Sequence, residues 1–165
     1  MSFHFGFCQF FIGVQYLFMI ICCIFAHMGR ILGIDYGKKR CGIAVTDPLK
    51  IIANGLTTVP SHTLIDFLQK YIEQETVEKI IVGLPKQLDG TPSESMKYIT
   101  PFLNRLRKVL PNIPVEMYDE RFTSTIAHKA MIDGGMKKKN RQNKEIVDTI
   151  AASIILNDYL QSNKL

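Results

Sequence analysis

The sequence contains no tryptophan, and its 165 residues include only four cysteines. So few cysteines at this length exclude a disulfide-built scaffold. Charge is missing from one whole stretch: Met1 to His27 has no Asp, Glu, Lys or Arg, yet holds seven of the ten Phe and three of the four Cys. Beyond it Cys41 is the lone cysteine, which excludes a cysteine-built zinc site and suits a reducing compartment. The rest shows neither an internal repeat nor a low-complexity tract, and the chain's 47% hydrophobic and 21% charged residues exclude a disordered or collagen-like protein. All 20 basic and 15 acidic side chains lie after His27, leaving a net +5 on that part. There they make up about one quarter of the residues, the usual share for one folded domain.

The chain therefore divides into an apolar extension, residues 1–27, and a domain, residues 28–165. Cys8 to Ala26 is long enough to cross a bilayer as a helix, although Gln9 and Gln15 interrupt it. Basic residues follow it (Arg30, Lys38, Lys39, Arg40), which would hold the domain in the cytosol. A secretory signal fits less well, because no basic start precedes the apolar run. A third reading is favoured over both: Met28 opens a cytoplasmic domain, and the residues before it are an upstream extension foreign to that domain.

Within the domain, short apolar runs at Ile31–Tyr36, Cys41–Thr46 and Ile51–Val59 read as three strands with brief links, an antiparallel meander, with a bulge or turn at Asn54-Gly55. Ser61 is a fitting N-cap for a helix through Leu64, Leu68 and Ile72. Lys79–Leu84 is a strand apolar enough to be covered on both faces. Thr91-Pro92-Ser93-Glu94 combines a capping box with proline at the first helical position, opening a helix that runs to Leu110. Val115–Tyr118 is the last strand, and two helices follow, from about Thr123 to Asp133 and from about Lys144 to Leu160. The order β-β-β-α-β-α-β-α-α predicts an α/β fold, a mixed five-stranded sheet with helices on its faces.

Three acidic positions stand in apolar settings. Asp35 ends the first strand, Asp119 and Glu120 end the last, and Asp148 borders the apolar stripe of the final helix beside Ala151, Ala152 and Ile155. Burying a carboxylate is costly unless it is paired or bound to a metal. Taken singly, each has an ordinary reading: Asp35 a turn former, Asp119 and Glu120 surface partners of Arg121, Asp148 a solvated helix residue near Lys144. Taken together they predict convergence, since parallel strands bring their C-terminal ends to one sheet edge. Hard oxygen ligands without His or Cys suit Mg²⁺ or Mn²⁺, and two such ions can clamp the attacking and leaving oxygens of a phosphodiester.

Two basic runs flank these positions. Lys38, Lys39 and Arg40 follow Asp35, and Lys137, Lys138, Lys139, Arg141 and Lys144 precede Asp148. The ordinary reading is solvated loops; the functional one is contact with a phosphate backbone. No aromatic interleaves with either run, so base stacking is not indicated.

The segments GIDYGKKRCGIAVTD, IIVGLPKQLDGT, DERFTS and KEIVDTIAASIIL resemble, in order and spacing, the motifs of the YqgF/RuvX family of Holliday junction resolvases. The resemblance covers residues 29–160 and implies an RNase H-like fold and a cytoplasmic, metal-dependent nuclease. Asp35, Glu120 and Asp148 then match its catalytic, metal-holding carboxylates, with Asp119 a competitor of Glu120. Arg121 joins the expected nucleic-acid contacts, and so does Lys86, although a plain strand-to-helix loop explains Lys86 at least as well. The implied substrate is branched DNA, the 5′ end of small-subunit ribosomal RNA precursor, or both. No small-molecule cofactor is expected.

Competing expectations stay open. A non-catalytic RNA-binding factor in assembly of the small ribosomal subunit would keep the basic loops and use the carboxylates structurally. The Asp-x-Gly element at Asp35 to Gly37 also suits sugar-kinase-like ATPases, which need two such domains where this chain has one. A membrane-anchored protein is the fourth. Symmetric cleavage of a four-way junction would call for a homodimer, although nothing in the residues marks a dimer face.

Overall fold

Leu32 and Ile34 alternate with Ile31, Gly33 and Asp35 along a strand apolar on both faces, and that pattern sets the architecture: a central strand covered from two sides. The computed structural model describes residues 29–84, 94–119, 134–135 and 143–163. The strands are β1 (Arg30–Tyr36), β2 (Arg40–Thr46), β3 (Ala53–Pro60), β4 (Val77–Leu84) and β5 (Val115–Asp119). The helices are α1 (Leu64–Gln74), α2 (Met96–Val109) and α3 (Lys144–Ser162). They form one sheet in the order β3-β2-β1-β4-β5, antiparallel through β1, β2 and β3 and parallel through β1, β4 and β5. The expected mixed five-stranded sheet is therefore present. The helix expected at 123–133 lies outside the described residues, as does the whole of 1–28. Among the described residues no helix is long and apolar enough to cross a membrane.

On one face Leu32, Ile34, Cys41, Ile43, Ile80 and Val82 pack against Leu64 and Leu68 of α1 and Ile99, Phe102 and Leu106 of α2. On the other, Ile31, Ala44, Ala53 and Ile81 pack against Ala152, Ile155, Leu156 and Tyr159 of α3. Each fully buried Leu or Ile contributes on the order of 2 kcal/mol. The buried hydroxyl of Thr46 accepts the Ile31 N–H at 2.9 Å. The Cys41 thiol is buried, donates toward Gly37 O and Ser61 Oγ, and is pushed up to about 11 chiefly by burial, so it packs rather than reacts.

Two local expectations shift, at Ser61 and at the start of α2, while the bulge expected near Asn54-Gly55 is present. Ser61 does not cap a helix: it lies in a short 3-10 turn (Ser61–Thr63), and its hydroxyl donates to Gly37 O at 2.7 Å, tying the β1–β2 turn to the end of β3. The long-range acceptor outcompetes the local one. At α2, Glu94 and Ser95 form a turn and the helix begins at Met96 without a side-chain cap, while Thr91, Pro92 and Ser93 lie outside the described residues. Near Asn54-Gly55 the β2–β3 register slips between Ile43 and Ala44, so Leu56 is the extra residue of a bulge.

Candidate active site

Asp35 occupies the next-to-last position of β1, on the face that α3 covers. Strand alternation turns its neighbour Tyr36 to the other face, where its ring stacks on Phe102 with centroids 4.5 Å apart. Asp148 lies in the second turn of α3, whose start is capped by Asn143 accepting the Glu145 N–H at 3.1 Å.

Asp148 comes within electrostatic reach of Asp35 because three strand positions beneath α3 are glycine. Gly33, Ala44 and Gly55 form one row across β1, β2 and β3; Asp35, Gly42 and Thr58 form the next. A Cβ on Gly42 would stand 1.9 Å from the backbone oxygen of Asp148, one on Gly55 2.3 Å from Thr149 Cγ2, and one on Gly33 2.8 Å from Leu156 Cβ. Helix backbone therefore rests directly on strand backbone beside Asp35. Polar ties fix the seat. The Thr58 hydroxyl donates to Glu145 O at 2.9 Å and lies 2.7 Å from Thr149 Oγ1, and Asn157 makes two 2.9 Å bonds to the Ala53 backbone.

Electrostatics record the crowding. Asp35 is half-buried, and its carboxyl is pushed up to about 6, first by burial and then by the negative charge of Asp148. Arg40, from the start of β2, donates its Nε to Asp148 Oδ2 at 2.6 Å. This cation is thus engaged with a carboxylate in the free protein. Two hard-oxygen donors side by side, one of them costly to ionise, fit a divalent cation such as Mg²⁺ or Mn²⁺, whose charge would offset their repulsion. Among the described residues, however, no three His, Cys, Asp or Glu side chains group closely enough to hold a metal ion.

The remaining expected positions fall as follows. Asp119 ends β5 opposite Leu84, and alternation sets it on the face away from α3: Tyr118 before it packs edge-on against Tyr159 of α3 at 5.6 Å and donates to Asp158 at 2.8 Å. Lys38 and Lys39 are exposed on the β1–β2 turn, and Lys144 is exposed at the start of α3. Glu120, Lys86, Arg121, Lys137, Lys138, Lys139 and Arg141 lie outside the described residues. Sequence reasoning missed the glycine seat, although glycines inside strands are its signal, and it missed Tyr98 of α2. That ring lies under Lys38, whose Nζ is 5.2 Å from the ring centroid. The aromatic absent from the basic run in sequence is supplied by the fold from a distant helix.

Comparison with known proteins identifies the fold and the family. A protein of Phocaeicola vulgatus named "Putative pre-16S rRNA nuclease" is 66% identical over 137 residues, 83% of this chain and 99% of that protein. A protein of the same name from Flavobacterium johnsoniae is 53% identical over 137 residues, 83% of this chain and 99% of its own length. Among solved structures, Thermus thermophilus RuvC in complex with Holliday junction substrate superposes with a TM-score of 0.51 at 16% identity, covering 82% of this chain and 96% of that one. The Fowlpox virus resolvase with Holliday junction DNA gives 0.54 at 11% identity, covering 82% and 99%. At those identities the likeness is one of fold, the RuvC-like form of RNase H architecture. Residues 29–162 match the RuvX family, described as Holliday junction resolvase, and the chain belongs to it.

Proposed function

We propose that this nuclease of the RuvX family hydrolyses phosphodiester bonds in structured RNA, trimming the 5′ end of pre-16S rRNA, with divalent metal held by Asp35, Asp148 and Glu120. The observation that carries the reading is the seating of Asp148 against the Asp35–Gly42 row, which leaves Asp35 with a carboxyl raised to about 6 beside a second carboxylate. Glu120 is preferred to Asp119 as the third ligand because alternation along β5 sets Asp119 on the face opposite Asp35. When bound, the metal would supply a polarised water and charge stabilisation at the departing oxygen. The chain's own part is to hold those oxygens rigidly and to keep Asp35 in a setting that favours charge compensation. Lys38, Lys39 and Lys144 stand on exposed loops and helix ends around it, placed to meet a polyanion. The relatives' shared name supports rRNA over branched DNA.

The test compares full-length protein on 5′-extended 16S precursor and on a four-way DNA junction, in Mg²⁺ or Mn²⁺, with Asp35→Asn as control. Metal-dependent shortening of the precursor, lost in the variant, is the expected result. Undiminished cleavage by Asp35→Asn would remove the proposed site; cleavage of the junction alone would replace the substrate.

A further inference from the structure

On the face of the sheet opposite Asp35, at the same end of β1, lies a groove of about 390 Å³ lined by Tyr36, Lys38, His62, Tyr98, Phe102 and Arg105, among others. A second hollow of about 280 Å³ shares Tyr36, Lys38 and Tyr98 with it. The Lys38–Tyr98 pair thus borders both hollows. Groove volume falls in the range of small-ligand sites, but the lining is unlike that of an apolar ligand pocket. Its rim carries the cations of Lys38 and Arg105, both exposed, and its wall is the Tyr98 ring, 43% exposed. Its floor is rigid: Tyr36 and Phe102 are stacked, and Phe102 is buried in the core.

Flat aromatic surface with flanking cations is the pairing that holds unpaired nucleotides: a base stacks on the ring and the phosphates meet the cations. A ring face that already takes an ammonium is electron-rich and open to a flat partner, and Lys38 sits on a flexible stem that can swing to a phosphate. Position adds to chemistry. Asp35 and Tyr36 are consecutive, with side chains on opposite faces of the sheet. A nucleic-acid strand crossing the end of β1 would run from the carboxylates on one side to this groove on the other.

We propose that this groove binds an unpaired nucleotide of the substrate next to the cleavage position, its base against Tyr98 and its phosphates between Lys38 and Arg105. The proposal rests on reading the chain as a nucleic-acid enzyme and names the feature of the substrate it reads: single-stranded character beside the cut.

Full-length protein in EDTA, where no turnover occurs, is titrated into a labelled duplex with or without a single-stranded extension, in RNA and in DNA. 2-Aminopurine in the extension reports stacking. Wild type should bind the extended form more tightly by on the order of tenfold in at least one series, with the fluorescence quenched. Tyr98→Ala should lose that preference and the quench, while Tyr98→Phe keeps both. Arg105→Ala should weaken binding and lower its salt dependence by about one ion. Equal preference in wild type and Tyr98→Ala, or no preference in wild type, would overturn the proposal. Because binding is read without metal, a failure to cleave precursor rRNA sinks the nuclease reading and leaves this test standing.

Discussion

Gly42 lies directly beneath Asp148: a single methyl group added to the glycine would fall 1.9 Å from the aspartate's carbonyl oxygen and 2.3 Å from its carbonyl carbon. Since Gly42 is also the cross-strand partner of Asp35, one hydrogen-for-carbon difference in β2 governs whether Asp148 can come within electrostatic reach of Asp35.

Gly42→Ala should therefore act on stability and activity together. The obstructing atoms are backbone, which cannot rotate away, so the cost lies at or above the upper end of overpacking, about 3 kcal/mol. Gly33→Ala is the control. Its new methyl would meet Leu156 Cβ at 2.8 Å, two positions before Asp35 on β1. Chemical denaturation and cleavage assays on both variants should show destabilisation in each, with folded Gly42→Ala losing activity far more than folded Gly33→Ala. Equal specific activity in the two would mean that the seat does not position Asp148.

Asp35 predicts a pH-dependent stability in the absence of metal. Its carboxyl ionises at about 6 in the fold against an ordinary 3.8, so the folded protein retains a proton that the unfolded chain releases between those values. The stability this confers is fully present below pH 3.8 and drains away as pH rises through about 6. At 1.36 kcal/mol per unit the difference is on the order of 3 kcal/mol, an upper figure for a half-buried group. Asp35→Asn removes the ionisation, and in EDTA it should melt above wild type at about pH 8, with the gap closing in acid. Parallel melting curves at all pH values would contradict the raised carboxyl. Adding Mn²⁺ should raise the melting temperature of wild type more than that of the variant.

Arg40 makes its 2.6 Å bond to Asp148 with both side chains partly exposed, so its contribution to stability is below about 1 kcal/mol. On the proposed reading its larger effect is competition for an oxygen that would hold the metal. Arg40→Ala should bind Mn²⁺ a few-fold more tightly by calorimetry while binding nucleic acid more weakly. Weaker Mn²⁺ binding would show instead that the guanidinium orients Asp148 for the metal.

Much of this was readable from residue order. The meander, the apolar β4 and the final helix follow from periods of two and of about 3.6, and Asp35 and Asp148 stand out as carboxylates where carboxylates are expensive. What was not readable depends on groups far apart in the chain. Ser61 has the side chain of a cap, but Gly37 O, 24 positions away, takes its proton. Tyr98 looks like an ordinary polar-face residue of α2 until the fold sets Lys38 above it. Asp148 is conspicuous in sequence, yet its nearness to Asp35 is decided by glycines on the sheet.

The pairing of Arg40 with Asp148 spans 108 positions, and α3, which brings Asp148, is the last described element of the chain. Asp35 is therefore translated well before Asp148 and before the helix that covers that face of the sheet. A nascent copy that has not yet reached α3, emerging from a ribosome and surrounded by RNA, has Asp35 without the neighbouring charge of Asp148.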